Sequence, residues 1–468
     1  MKKTLIITAA ALALAACTTE PKPYGPVPTE AQLAWQRMEI NMFCHFGPNT
    51  FTGAEWGSGQ EAEEVFAPTA MDCRQWVDVA RQAGMGGIIL TGKHHDGFCL
   101  WPSTYSIHTV PDSMDVLREF TDACREGGVK AGVYISPWDR NHPTYGTPEY
   151  NAVFANTLRE VHEDYGPFFE QWFDGACGEG PNGKRQEYDW PLFEGTVTDI
   201  NPECVMFSDV GPGCRWVGNE EGRAEETNWS RLKVERGKRK TENGGCGDID
   251  GDSWIPAEVD VSIRPGWFWH KEEHPKTVDE LMEIYYNSVG RNGLLLLNVP
   301  PDDRGRIPAE DSAVLVAFRQ ERDRIFSHDL TEGSVIEAYV GDGIMTAAKS
   351  RYPTNNLSDT AYHTYWMLKN NDTSNIDLKI ILPEEREFDL VMLQEYIPLG
   401  QRVTQFHISY SFGEDMGGAW VASGTTIGYK RIIHLPHPIR TRTLYITIDH
   451  SLAPPILNRI ALYNTQAQ

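Results

Sequence analysis

The decapeptide Gln171 to Gly180, QWFDGACGEG, puts the carboxylate of Asp174 where a short apolar run, Gly166-Pro-Phe-Phe-Glu, gives way to glycines. A strand buried on both faces that ends this way carries its last polar side chain to the mouth of a barrel, out of the core. A carboxylate there suits nucleophilic or charge-stabilising work. An Asp before Gly is also a common turn former, so the tetrapeptide Trp172-Phe173-Asp174-Gly175 does not decide alone.

The same texture recurs along the chain. Cys44-His45-Phe46-Gly47 is followed by Glu55-Trp56, and Lys93-His94-His95-Asp96-Gly97-Phe98 closes a second apolar run. Further on come Pro137-Trp138-Asp139-Arg140-Asn141, then Arg215-Trp216-Val217-Gly218-Asn219-Glu220, then Ile263-Arg264-Pro265-Gly266-Trp267-Phe268-Trp269. Two chemistries compete for the histidines. His45, His94 and His95 could ligate a metal, but adjacent residues leaving a strand point to opposite sides unless the backbone bends, and no HExxH accompanies them. The alternative is a polar pocket in which neutral imidazoles hydrogen-bond ligand hydroxyls. Arg264 could be held in a structural ion pair, and Trp267 and Trp269 could be packing.

The elements that must position these groups alternate between Pro28 and about Gly305. Apolar runs at Met38 to Phe46, Gly87 to Thr91, Ala131 to Ser136, Phe168 to Phe173, Cys204 to Ser208, Glu258 to Ile263 and Leu294 to Val299 predict strands. Amphipathic stretches at Asp72 to Ala83, Asp115 to Glu126, Thr147 to Glu163 and Val278 to Val289 predict helices between them, with Asp72 as a cap. Strand, helix and strand at this spacing imply a parallel sheet closed as a (β/α)8-like barrel, with one strand of the eight missing or irregular. An open doubly wound sheet is the rival, but no glycine-rich phosphate fingerprint follows the first strand.

After a helix at Ala309 to Phe326 the pattern turns to alternating segments, Ile376 to Leu382, Asp389 to Gln394, Gln405 to Phe412, Arg431 to Leu435, Thr443 to Ile448 and Leu457 to Tyr463. Turn residues separate them, which predicts an all-β antiparallel sandwich. The expected division is a leader over residues 1–20, the barrel over 21–328 and the sandwich over 329–468. Trp366 and Trp420 are expected in the sandwich core.

Composition narrows the partners. The formal charge of -24 over 468 residues would repel nucleic acid and anionic lipid, whereas a neutral glycan meets no such barrier. Fourteen tryptophans suit stacking on sugar faces as well as a core. The opening MKKTLIITAAALALAAC reads as a secretory signal, and Leu14-Ala15-Ala16-Cys17 resembles a bacterial lipoprotein box with Cys17 as the lipidated residue. Export to the periplasm or outer membrane of a Gram-negative cell is the expectation, with the membrane met only through that anchor. The other eight of nine cysteines show no CxxC pairing and read mostly as small buried residues, with one or two bridges open. Oligomeric state is not legible.

Taken together, HFGPNTF (45–51), TGKHHDGFCLWPSTYS (91–106), GVYISPWDRN (132–141), QWFDGACGEG (171–180), GNEEG (218–222) and RNGLLLLNVPP (291–301) resemble glycoside hydrolase family 29, the retaining α-L-fucosidases, over roughly Trp35 to Phe326. The resemblance implies Asp174 as nucleophile and, from the branch acting on α-1,3 and α-1,4 fucose of Lewis-type structures, Glu220 as acid/base. Glu221 beside it leaves that choice open. It implies sugar contacts from His45, Glu55, Trp56, His94, His95, Tyr134, Trp138, Trp172 and Trp269, a fucosylated oligosaccharide as partner, and no metal or organic cofactor. It likens the C-terminal part to galactose-binding-like jelly rolls, as a sugar binder or a structural cap.

Two carboxyls about 5–5.5 Å apart are what retaining glycoside cleavage needs. Glu220 would keep its proton through burial against Trp216 and the charge of Asp174, and an apolar patch around Phe46 and a tryptophan would hold the C6 methyl. The rivals are a glycan-binding lipoprotein without activity, a fucosidase of broad specificity, and a glycosidase for another sugar.

Overall fold

The computed structural model describes residues 20–234, 238–341, 346–411 and 419–466. The leader with Cys17 lies outside them. Eight parallel strands close a barrel: β1 (Ile40–Cys44), β2 (Gly87–Lys93), β3 (Lys130–Ile135), β4 (Glu170–Trp172), β5 (Val205–Ser208), β6 (Cys214–Trp216), β7 (Ala257–Ser262) and β8 (Leu294–Asn298). Each pairs with its neighbours in chain order, and β8 returns to β1 with Leu295 opposite Ile40 and Asn298 opposite Phe43. The eighth strand that the sequence left open is β6. It has three residues and follows β5 after only Asp209-Val-Gly-Pro-Gly, too short for a crossover helix.

Burial on both faces explains the continuous apolar runs. Ile40, Met42 and Cys44 pack outward against helices, as do Ile88 and Leu90, while Phe43 and Ile89 point into the barrel with Tyr134, Trp172, Phe207 and Leu296. The period of two then dictates which polar residues reach the inside. Helices Cys73–Ala83 and Val116–Gly127 start where Asp72 and Asp115 accept the backbone N–H of Gln75 and Arg118, and both stop at a glycine in the left-handed conformation. Glu149–Tyr165, Trp190–Ile200, Val278–Asn287 and Ala309–Phe326 complete the outer layer. Among the described residues no helix follows β5 or β6; a short antiparallel pair, Arg231–Leu232 with Ser253–Trp254, lies in the long connection to β7.

The C-terminal part is antiparallel, as expected, but four of the predicted strands are halves of two long ones. Ser374–Glu395 and Arg431–Ser451 pair along their length, with register shifts between Ile381 and Arg386 and between Phe388 and Leu390. One half of Ser374–Glu395 pairs with Val335–Val340 and the other with Ile456–Tyr463, so the sheet folds over into two layers. Ile376, Leu378 and Ile380 meet Val391, Leu393 and Ile460 between them. Leu390, Met392, Ile432 and Ala461 face the barrel and join its core, so the sandwich is packed onto the barrel. Trp366 is in the core as expected; Trp420 is not, being 67% exposed on strand Ala419–Gly424.

The floor of the barrel holds a pair of carboxyls. Glu170 and Glu258 are fully buried and hydrogen-bonded to one another, the Trp35 indole N–H donates to Glu170 Oε2 at 2.7 Å, and the Cys214 thiol lies 3.6 Å from both. Burial holds both acids above the ordinary carboxylate range, and Glu170 pushes Glu258 further. These two groups therefore hold protons in the folded chain that they release in the unfolded chain once pH exceeds about 4.3, and their contribution to stability falls as pH rises, by about 1.4 kcal/mol per pH unit for each proton retained. Glu258→Gln, neutral throughout, should lose less melting temperature than the native chain between about pH 5.5 and 8.5. Parallel pH slopes in the two proteins would show that the pair carries no such proton.

Candidate active site

A cavity of about 170 Å³ opens at the C-terminal end of the barrel, lined by Phe43, His45, Glu55, Trp56, His94, His95, Tyr134, Trp172, Asp174, Ala176, Glu220, Asp260 and Trp267. The strands supply its floor and walls. His45 leaves β1 in phase with Phe43, two residues below it, and Asp174 leaves β4 in phase with Glu170 and Trp172. Glu55 and Trp56, Glu220, and Trp267 come from the loops after β1, β6 and β7.

One amide fixes several of these groups. Asn298, fully buried at the end of β8, donates through Nδ2 to the Ser262 hydroxyl at 2.9 Å and to the Trp267 carbonyl at 2.8 Å. A carbonyl only accepts, so Oδ1 faces His45, receiving its backbone N–H at 3.3 Å and its Nδ1–H at 2.9 Å. His45 is thereby the Nδ1–H tautomer, with Nε2 left as an acceptor. Asp174 is held by two donors, Tyr134 Oη at 3.0 Å to Oδ2 and the Ala176 N–H at 2.7 Å to Oδ1, and His95 Nε2 lies 3.7 Å from Oδ2.

His94 and His95 are adjacent, yet both line the cavity, because the chain turns as it leaves β2 at Lys93; their rings are 4.2 Å apart. Burial lowers the pKa of all three imidazoles, to about 4 for His45 and well below the ordinary value for His94, while Asp174 partly offsets the effect at His95. They are neutral hydrogen-bonding groups at pH 7. The three histidines do not form a ligand cluster. Among the described residues, the one group whose ligating atoms converge is Glu170, Cys214 and Glu258 on the barrel floor.

The loops are fastened to each other across the mouth. Glu55 accepts the Trp267 backbone N–H at 2.9 Å and pairs with His270 at 2.7 Å. Arg140 and Asn141 donate to the carbonyls of Gly57 and Gly59, holding the segment that carries Trp56, itself 61% exposed. Glu220 receives the Trp267 indole N–H at 3.1 Å. It is exposed rather than buried against Trp216, whose indole instead donates to Asp260 at 2.9 Å. Glu221 does not line the cavity and pairs with Arg223 at 3.1 Å.

Of the residues expected at the site, nine line the cavity: His45, Glu55, Trp56, His94, His95, Tyr134, Trp172, Asp174 and Glu220. Trp138 and Trp269 do not. Trp138 stands behind the wall, its ring 4.8 Å from that of His95 and its indole N–H on the Glu179 carbonyl, and the tryptophan that faces the cavity from the β7 loop is Trp267. Phe46 points outward among Phe51, Phe66 and Trp76; the phenyl ring in the cavity is Phe43. Arg264 is a structural residue, bound to Asp311 at 2.6 Å and to Glu310. The eight described cysteines are all thiols.

Asp260 is the acidic residue that the sequence reading passed over. Its signal was present: in Glu258-Val-Asp260-Val-Ser262, polar residues at alternate positions of a strand buried on both faces must share the inner face.

The α-L-fucosidase family profile matches residues 23–320. Alpha-L-fucosidase 1 of Arabidopsis thaliana is 39% identical over 455 residues, covering 95% of this chain and 88% of that protein. A Ruminococcus gnavus glycoside hydrolase family 29 fucosidase in complex with fucose superimposes with a TM-score of 0.87 at 32% identity, covering 95% of this chain and 96% of that one. The crystal structure of SpGH29 gives 0.87 at 34% identity, with 95% and 99% covered.

Acidifying from pH 7 to 5 should leave His45 uncharged. Nitrogen-15 shifts of the imidazole, assigned with His45→Gln, should stay at neutral-tautomer values over that range; a titration centred near 6.5 would contradict the burial argument.

Proposed function

The chain belongs to the α-L-fucosidases of glycoside hydrolase family 29, and from that premise we propose that it removes α-1,3- and α-1,4-linked fucose from Lewis-type or related glycans by double displacement. Asp174 attacks the anomeric carbon as the bond to the departing oxygen breaks, and Glu220 gives that oxygen its proton. The resulting ester neutralises Asp174. Glu220, now a carboxylate, takes a proton from water, whose oxygen attacks the same carbon and frees both fucose and Asp174. The observation that carries this reading is that Asp174 and Glu220, from separate strand-to-loop junctions, share one sugar-sized cavity while Glu221 turns away to Arg223.

The surroundings support those roles. Tyr134 and the Ala176 N–H hold both carboxylate oxygens of Asp174 in place, and an exposed Glu220 has the access to solvent that admitting water requires. His45, His94 and His95, neutral and buried, suit sugar hydroxyls, with Glu55, Trp56 and Trp172 around the ring and Phe43 offering the apolar surface a C6 methyl needs. The linkage preference rests on the Gly218-Asn219-Glu220 motif, and export as a lipoprotein rests on the leader ending at Cys17.

Asp174→Ala should abolish turnover of an aryl fucoside, by about 10³-fold or more, with fucose binding retained; near-native turnover would remove it as nucleophile. Glu220→Ala should spare a nitrophenyl fucoside far more than substrates with poor leaving groups, and azide should restore rate with retention of configuration. The same pattern in Glu221→Ala would move the acid/base by one residue. On 2-, 3-, 4- and 6-linked fucosides, release confined to the 3- and 4-linked members is expected. Release from all four would make the enzyme a broad-specificity fucosidase, and binding without release would make it a lectin-like protein.

A further inference from the structure

We propose that Asp260 is an additional substrate-binding residue, whose carboxylic acid donates a hydrogen bond to a hydroxyl of the bound fucose while the Trp216 indole N–H holds its other oxygen. This inference rests on the reading of the cavity as the fucose site. The family chemistry employs two carboxyls, Asp174 and Glu220; Asp260 is another acid in the same cavity, and that chemistry gives it no task.

Its setting differs from those of the other two. Asp260 sits in the barrel wall on β7, 3% exposed, with its backbone opposite Leu296 of β8. From β6 it receives the Trp216 indole N–H at Oδ1, 2.9 Å away. The groups whose charges reach it are acidic, Glu220 from the loop after β6 and Asp174 from β4, while Glu258, two residues below on its own strand, is held protonated by burial. Asp174, in contrast, has two donors, and Glu220 is open to solvent. An ionised Asp260 would be a buried charge facing other carboxylates, with the Trp216 indole N–H and its own backbone N–H to set against burial and their repulsion, which is unfavourable on balance. Burial first, then Glu220, push its pKa up to about 8.

Such a group is a hydrogen-bond donor at neutral pH, and it lines a cavity in which His45 presents an acceptor. A sugar hydroxyl both donates and accepts, and the cavity lining offers groups of each kind. Asp260 is poorly placed to be the acid/base itself, since that group must face the leaving group and then incoming water.

The test is the pH dependence of L-fucose affinity by calorimetry. Because only the protonated form donates, the native Kd should weaken about tenfold between pH 7 and 9, and binding at pH 8.5 should take up a proton, read as a buffer-dependent enthalpy. Asp260→Asn keeps a carbonyl for Trp216 and an N–H for the sugar, so its Kd should stay within about threefold from pH 7 to 9, without proton uptake. Glu220→Gln removes an acidic neighbour, which favours the ionised form of Asp260, so its affinity should keep the pH dependence but lose strength at lower pH than the native protein.

A native protein that binds fucose without proton uptake would overturn the proposal, and that measurement depends on no variant folding. So would an Asp260→Asn protein with the native pH dependence, or a Glu220→Gln protein whose pH dependence vanishes. Turnover by Asp174→Ala and Glu220→Ala tests the cavity separately. Failure confined to the pH dependence of binding strikes Asp260 alone, whereas azide rescue of Asp260→Ala would overturn this inference and the assignment of Glu220 together.

Discussion

The buried amide of Asn298 is the constraint on which the site's geometry depends. It lies at the seam where the barrel closes, β8 between β1 and β7, and both of its polar atoms are fully committed: Oδ1 to the backbone and ring of His45, Nδ2 to Ser262 and the Trp267 carbonyl. Those contacts join the closure of the fold to the chemistry above it. The amide fixes the tautomer of His45 and the path of the loop that brings the Trp267 indole to Glu220 and the Trp267 N–H to Glu55. Turning the amide over would place N–H groups against donors and oxygen against a carbonyl, at a cost of about 1–3 kcal/mol for each buried group left unsatisfied. The acid-bearing loop and the histidine wall are therefore in register with each other for the same reason that the barrel is shut.

A second constraint is the crowding of carboxyls in a barrel whose interior is dry. Two inward columns carry them: Glu170, Trp172 and Asp174 along β4 and its exit, and Glu258, Asp260 and Ser262 along β7. Position along the barrel axis sets the surroundings of each acid. On the floor, Glu170 and Glu258 relieve one another by hydrogen bonding, with protons retained. At the mouth, Asp174 gains an O–H and an N–H donor, and Glu220 stands in solvent. Environment sorts side chains of one chemistry into structural and reactive roles.

Much of this was legible in the sequence because burial on both faces leaves long apolar runs, and the runs of β1, β2 and β4 ended in polar residues that now face the cavity, His45, His94, His95 and Asp174. What escaped did so for physical reasons. β6 is three residues long and follows β5 without a helix, so it carries no periodic signal. The long sandwich strands looked like pairs because Pro383-Glu-Glu-Arg-Glu387 and Pro436-His-Pro438 resemble turns, yet the strands bend through them with shifts of register. Phe46 was chosen over Phe43, although the period of two puts Phe43 beneath His45 on the inner face and sends Phe46 outward. Trp267 and Trp269 share a loop with no such period, and only the contacts to Asn298 and Glu55 select the first of them.

The division of the two proposed reacting groups between a strand exit and a loop follows from what each must do. The group that forms a bond to carbon must be held to a fraction of an ångström, and Asp174 is anchored within two residues of β4 by Tyr134 from β3 and by its own turn. The group that exchanges protons with a departing sugar and then with water needs access more than rigidity, and Glu220 stands four residues beyond β6, tethered by one indole N–H. That tether comes from Trp267, whose carbonyl is held by Asn298. The freedom of Glu220 is thus bounded by the same amide that sets His45, and a change at the barrel seam would reach both that glutamate and the histidine wall of the cavity.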